Sequence, residues 1–198
     1  MQDAQQDLFG GTDPALPEGM RLQQAFLSRE EEAFLLARIG ELPLAPMKYR
    51  QYEALRRVVS FGGRYDFGAQ QLQEAEPLPD WLQPLRERAA AWIGVAPAQF
   101  TQALVAEYRP GTPLGWHRDV PDFEDIVGVS LLDHAVLRLR PYPHVTGSRP
   151  QVLKLTLPPR SIYLLRGASR WAWQHGIAPA QALRYSITLR TPASRVRR

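Results

Sequence analysis

Arg184-Tyr185-Ser186-Ile187-Thr188-Leu189-Arg190 is the stretch whose reading decides the fold. It alternates without a break. Successive strand residues point to opposite faces, so Arg184, Ser186, Thr188 and Arg190 share one face, and Tyr185, Ile187 and Leu189 share the other. The plain expectation is a half-buried antiparallel strand with its polar face in water. The alternative is a polar face turned into a pocket, with an arginine fork for a dicarboxylate. Arg184 and Arg190 stand ~20 Å apart on an extended strand, so they lean inward or do different work.

The residues before this strand read the same way. Short β-like runs cover 102–108, 127–132, 134–140, 151–157, 161–166 and 171–177, with turn residues between them. Regular short strands with Gly and Pro punctuation predict a β-sandwich or barrel. Two helices precede them. Ser28 to Gly40 opens with a Ser28/Glu31 capping box and three glutamates that suit a helix N-terminus. Phe34, Leu35 and Ile39 recur at helical spacing, and Gly40 is a natural stop. Pro43 and Pro46 predict a loop. Asp80 to Ile93 forms the second helix, with Trp81, Leu82, Leu85, Ala89 and Trp92 on one side and Gly94 at its end. Between the helices, Arg56 to Phe67 is basic, aromatic and β-rich, with a turn at Gly62-Gly63.

Gly115-Trp116-His117-Arg118-Asp119 places an imidazole and a carboxylate two positions apart. On an extended segment both point to the same side. A second histidine would complete two histidines and a carboxylate on one face of a metal, a set that suits non-haem Fe(II) and leaves positions open. The same residues would also serve an ordinary polar turn after Pro110 and Gly111. The chain has four histidines. His134 heads an apolar strand and His144 sits in a Pro-rich loop, and both read as structural or surface residues. His175 lies late in the β region, where a distal ligand would return to meet His117 and Asp119.

Composition narrows the classes. The chain has 198 residues and no cysteine, so a metal must use His and carboxylates, and no disulfide framework exists. No apolar run approaches the ~20 residues needed to span a bilayer, and no signal peptide is expected. A cytoplasmic location and a monomer are expected. The net charge of +4 is compatible with a polyanionic partner, although Lys48 and Lys154 are the only lysines and general Arg-for-Lys usage would give the same balance. Residues 1–20 read as a flexible arm. Its Gln5-Gln6-Asp7-Leu8-Phe9 matches, at four of five positions, the short motif by which bacterial repair and replication proteins dock on the sliding clamp. The other reading is that Leu8 and Phe9 pin the arm to its own domain.

In order along the chain stand Tyr108-Arg109-Pro110-Gly111, His117-x-Asp119, Val129-Ser130-Leu131, His175-Gly176-Ile177 and Arg184 to Arg190. With these elements the chain resembles the AlkB family of Fe(II)- and 2-oxoglutarate-dependent dioxygenases, and a bacterial source is expected. The resemblance implies a mainly β, α+β fold: a double-stranded β-helix (jelly roll) with N-terminal helices packed on the sheet. It implies a single dioxygenase domain over 21–192, with helices and substrate lid in 21–100, a catalytic core in 101–192, and a basic tail at 193–198. His117, Asp119 and His175 would ligate Fe(II). Arg184, helped by Tyr108, would hold the C5 carboxylate of 2-oxoglutarate. Ser186 stands where the family carries Asn, and Arg190 would lie nearer the metal end. Dioxygen would take the last coordination position. Decarboxylation to succinate and CO2 would accompany removal of a methyl group from a base nitrogen as formaldehyde.

The resemblance also points to alkylated DNA or RNA as partner. Tyr65, Phe67 and Trp116 would wall an extruded base, and Arg56, Arg57 and Arg64 would contact phosphates. Three departures from the family stand out. Ala106 replaces an Asn near the cosubstrate, Ser186 is shorter than its counterpart, and Pro121 replaces an Asp near the base. Pro121 keeps a protein or small-molecule substrate open, and a non-catalytic jelly-roll binding module remains the third alternative.

Overall fold

The computed structural model describes residues 15–49, 52–66, 68–69, 71–143 and 151–194. The expectations for Gln5 to Phe9, Phe67 and His144 fall outside these residues, as does the Arg64 side chain. In chain order the elements are β1 (Arg21–Gln23), α1 (Arg29–Gly40), β2 (Ala45–Tyr49), β3 (Tyr52–Phe61), β4 (Arg64–Asp66), β5 (Gln71–Gln73), α2 (Gln83–Ile93), β6 (Gln102–Tyr108), β7 (Leu114–His117), β8 (Phe123–Leu131), β9 (Ala135–Pro141), β10 (Leu153–Leu157), β11 (Ile162–Leu165), α3 (Ala168–Trp171), β12 (Trp173–Ile177) and β13 (Arg184–Pro192).

The strands form a jelly roll. A major sheet runs β1-β11-β8-β13-β6-β3-β2, a minor sheet runs β10-β9-β12-β7, and β4 pairs with β5 as a separate hairpin. β13 lies at the centre of the major sheet, antiparallel to β6 and β8. Its apolar residues Ile187 and Leu189 face the helices and pack with Leu35, Ile39, Leu85 and Ile93. Each such side chain, fully buried, stabilises by roughly 1.5–3 kcal/mol. The capping box of α1 is formed in both directions, and Gly94 ends α2 in the left-handed conformation. A second core, with Ile126, Leu137, Leu139, Leu157 and Ile177, joins the two sheets.

Several expectations are corrected. The polar face of β13 is not in water: Arg184 is buried and, with Ser186, Thr188 and Arg190, lines a cleft between the sheets. Phe34 is 44% exposed, so α1 turns Leu35 and Ile39 inward instead. The Pro43–Pro46 segment is not wholly loop, because Pro46 lies in β2, an edge strand where a missing N–H is tolerated. The seated part of the chain also begins before residue 21. Met20 is buried, the Ser169 N–H donates to Glu18 O, and Gly19 has φ +81° with its Cα against Arg166 O, where a Cβ would come within 2.0 Å.

Gly128 of β8 sits opposite Tyr163 of β11. A Cβ at 128 would lie 2.3 Å from the phenol ring, so the ring rests directly over the glycine, inside the roll. Gly128→Val is expected to cost about 1–3 kcal/mol and to lower Tm by several degrees in thermal unfolding. An unchanged Tm would show that Tyr163 rests elsewhere.

Candidate active site

His117 ends β7 and His175 lies in β12, and the antiparallel register sets the two directly opposite each other. Their ring centroids are 4.3 Å apart. Asp119 follows two residues after His117 and keeps to the same side. One donor atom from each of the three residues lies within 4.8 Å of the others. Neighbours select which atoms are available. His117 Nδ1 is 2.9 Å from Gly115 O, so a proton there leaves Nε2 as the free donor. Arg190 donates through Nε and Nη2 to the same oxygen, Asp119 Oδ1, at 2.9 and 2.7 Å. Asp119 Oδ2 is left buried without a hydrogen bond, 3.4 Å from His175 Nε2. An orphaned carboxylate oxygen between two imidazoles is a poor resting arrangement for a dry interior, and it fits a divalent cation.

The electrostatics agree. Burial raises the Asp119 carboxyl, but the charge of Arg190 and then the two histidines outweigh it, so the group is held far below the carboxylate range. Burial, and secondly the neighbouring His117, push His175 down to about 3. Burial also lowers His117, against the pull of Asp119. At neutral pH the cluster is therefore one carboxylate and two neutral imidazoles, the protonation state that metal ligation needs.

At the other end of β13, Arg184 is 2% exposed. Its guanidinium lies over the Tyr108 ring at 4.7 Å, and Nη2 donates to Ser130 Oγ at 3.2 Å. Nε and Nη1 are buried with no partner. A buried guanidinium with two unused donors is costly unless an anion completes it, so this end fits a carboxylate. Burial raises the Tyr108 phenol, but Arg56 and Arg184 outweigh it and hold the group below its usual range. Burial, and secondly Asp119, push Tyr163 up, so its phenol stays a neutral donor. The ~20 Å between Arg184 and Arg190 is thus resolved as a division of work.

The cleft that holds both ends has a volume of about 1400 Å³, and Tyr65 of the β4–β5 hairpin lines its rim. Trp116 reaches the margin, but strand alternation turns its ring away from His117, to where Arg138 and Arg140 stack on it. Arg57 is committed to Glu107 and to Leu44 O, and Arg56 is buried beside Met47 Sδ. His134 bonds Asp133, outside the cluster. Sequence reasoning missed Tyr163, whose aromatic ring carries no motif, and Gln102, which accepts from Arg190 Nη1. It also missed Arg170. That guanidinium is buried and donates to the backbone oxygens of Asp119, Val120 and Phe123, pinning the turn that carries the carboxylate.

A family model for the 2OG-Fe(II) oxygenase superfamily matches residues 19–191. The chain belongs to that superfamily. That superfamily is one of oxygenases that use Fe(II) and 2-oxoglutarate, which the His117, Asp119 and His175 donor set fits, and the relatives to which the chain is similar include AlkB homologues. The chain is 29% identical over 174 residues to the mouse tRNA (carboxymethyluridine(34)-5-O)-methyltransferase ALKBH8, covering 83% of this chain and 25% of that protein. The frog (Xenopus tropicalis) protein of the same name is 28% identical, over 84% of this chain and 26% of its own length. The chain thus spans about a quarter of the length of these relatives. The zebrafish probable RNA/DNA demethylase ALKBH6 is 29% identical over 77% of this chain and 66% of its length. Among solved structures, OsALKBH1 superposes with a TM-score of 0.68 at 17% identity, covering 89% of this chain and all of that one. A prolyl hydroxylase from Trichoplax adhaerens gives 0.62 at 17%, over 88% and 83%. At that identity both report the fold. No helix among the described residues is long and apolar enough to cross a membrane.

Two outcomes are expected. Arg190→Met frees Asp119 to rotate and should weaken surrogate-metal binding roughly 10- to 100-fold in a titration, as loss of ligand-orienting bonds does. In metal-free protein, His175 stays neutral while an unfolded histidine takes up a proton. The unfolded state therefore binds more protons as pH falls from about 6.5 toward 3, and stability should fall across that window. His175→Gln should flatten the dependence in urea denaturation at several pH values.

Proposed function

We propose that the chain oxidatively demethylates N-alkylated bases in nucleic acid. What carries the chemistry is the convergence in one cleft of three metal-type donors and a buried arginine with two unused donors. What points to the substrate is the nucleic-acid chemistry in the names of its relatives, on tRNA in one and on RNA or DNA in another. On this reading His117, Asp119 and His175 hold Fe(II), which supplies the centre for O2 activation and cosubstrate decarboxylation.

The chain's own residues do the rest. Arg184 binds the C5 carboxylate of 2-oxoglutarate through its free Nε and Nη1, with Ser130 fixing the guanidinium from behind. Tyr108 forms the floor under it, Ser186 lines the same pocket, and Tyr163 adds a neutral phenol beside Arg184 that offsets the donor Ala106 lacks. Arg190 keeps Asp119 ionised and aimed. Tyr65 stands at the rim, where it can meet an extruded base. The balance is simple. One oxygen atom of O2 enters succinate as CO2 leaves, and the other converts N–CH3 to N–CH2OH. The C–N bond then breaks, nitrogen keeps a proton, and formaldehyde departs.

The test is succinate release with Fe(II), ascorbate and 2-oxoglutarate, with and without oligonucleotides carrying N-methylated adenine or cytosine. Formaldehyde in step with succinate, only when the methyl group is present, is the expected result. Turnover that ignores every oligonucleotide would move the substrate to protein or small molecules. His117→Ala should abolish turnover with an unchanged circular dichroism spectrum. Arg184→Ala should raise the 2-oxoglutarate Kd roughly 10- to 100-fold, the loss of a charge-assisted hydrogen bond, with little change in oligonucleotide affinity. The reverse pattern would make Arg184 a phosphate contact.

A further inference from the structure

The outer face of the minor sheet is built unlike the rest of the surface. On β9, Leu137 and Leu139 are buried while Arg138 and Arg140 alternate with them and point outward. Lys154 of β10 stands directly opposite Arg138. Arg118 and Trp116 project from the β7 segment on the side away from His117 and Asp119. No Asp or Glu occurs on β7, β9, β10 or β12. Several arginines elsewhere are paired with carboxylates: Arg57 and Arg109 with Glu107, Arg88 with Glu31, Arg166 with Asp125. Arg118, Arg138 and Arg140 have no such pairing among the described residues. Arg140 donates to Gln174, Arg118 to Trp171 O, and Arg138 reaches Ile177 O at 3.4 Å with its Nε buried and unpartnered.

Like charges set directly across neighbouring strands are destabilising. Lys154 against Arg138 is such a pair, with Arg140 two positions further along the same face. A polyanion would reverse the sign of that cost. Aromatic surface is interleaved with the charge. Trp116 lies under the Arg138 and Arg140 guanidiniums at 5.0 and 4.5 Å, and Tyr142 lies under Arg118 at 4.0 Å. Stacking platforms beside guanidiniums suit unpaired bases on a phosphate backbone rather than a closed duplex. The face also leads to the site. A hollow of about 440 Å³ is lined by Arg118, Tyr142, Trp171 and Gln174 together with Asp119 and Tyr65, which also line the cleft. At this rim Glu124 is engaged by the Trp171 indole N–H.

We propose that single-stranded nucleic acid runs across the outer face of the minor sheet, with Arg138, Arg140, Lys154 and Arg118 on phosphates and Trp116 and Tyr142 under bases, and enters the cleft past Arg118. This rests on the nucleic-acid demethylase reading of the cleft and adds the path by which the strand reaches it.

The experiment is fluorescence anisotropy with a labelled, unmethylated single-stranded oligonucleotide of mixed sequence over a range of salt. Single-strand affinity falls with slope about −0.7 per phosphate contact in log–log form, so Arg138→Gln/Arg140→Gln should weaken binding and reduce the slope by about 1.4. Arg138→Lys/Arg140→Lys should keep the slope. Trp116→Ala should weaken binding roughly 5- to 100-fold at an unchanged slope. Oligonucleotide-independent 2-oxoglutarate turnover should be the same in wild type and in the two arginine double variants, which shows the fold intact. Wild-type binding that the Gln/Gln variant matches in affinity and slope overturns the path and leaves the demethylase reading standing. A preference for duplex overturns the single-strand assignment. A wild type that binds no oligonucleotide, with succinate release indifferent to methylated bases, removes both.

Discussion

A carboxylate cannot stay ionised in a protein interior without a compensating charge, and Asp119 has Arg190. Both side chains are mostly shielded from solvent, and Arg190 grips one carboxylate oxygen twice. That asymmetry sets the geometry of the whole metal end of the cleft. With Oδ1 occupied, Oδ2 is presented to the imidazoles. With the carboxylate charged, both histidines sit beside a negative group, yet burial still keeps them neutral. Arg190 is itself steadied by Gln102 across the β13–β6 pair. The donor cluster in the minor sheet is therefore aimed by the central strand of the major one.

The same strand serves the opposite end of the cleft in the opposite sense. Arg190 is satisfied, whereas Arg184 keeps two donors in reserve. Extended backbone is well suited to this division. Its rise separates the two guanidiniums, and its period of two keeps both on one face while Ile187 and Leu189 anchor the other face under the helices. Removing either apolar anchor would move the pocket as much as the core. Arg170 adds a third, different role. It bonds backbone oxygens, so it fixes where residue 119 is, while Arg190 fixes which way its side chain points.

Much of this was legible in the sequence. Short β-like runs bounded by turn residues located β6 and β8 to β13 within a few residues, and period two sorted the faces of β13. The capping box located α1. The His-x-Asp and His-Gly-Ile segments identified the three donors that the fold brings together. What was not legible has physical reasons. β1, β4 and β5 are three residues long, too short to show a period. The inward orientation of β13's polar face depends on a second sheet covering it, which no local pattern records. Phe34 obeys helical spacing yet faces out, since spacing defines a stripe without saying which edge of the stripe the core will take. Trp116, expected to wall the base pocket, lines the margin of the cleft with Arg138 and Arg140 over its ring, contacts that no local pattern records. Arg170 was invisible because its partners are backbone oxygens, which have no sequence signature.

The register of β7 against β12 has one more consequence. β7 is a four-residue strand at the edge of the minor sheet, joined to β12 by a short ladder with an irregularity after His175. Its inner residue, His117, faces a residue far along the chain. An ion held by His117, Asp119 and His175 would tie these distant segments together, as a disulfide ties a long loop, in a chain that has no cysteine. Loading the site would then be a folding event as well as a chemical one. The saturated protein would gain stability in proportion to the logarithm of free metal, and the edge strand would be the segment most changed by it.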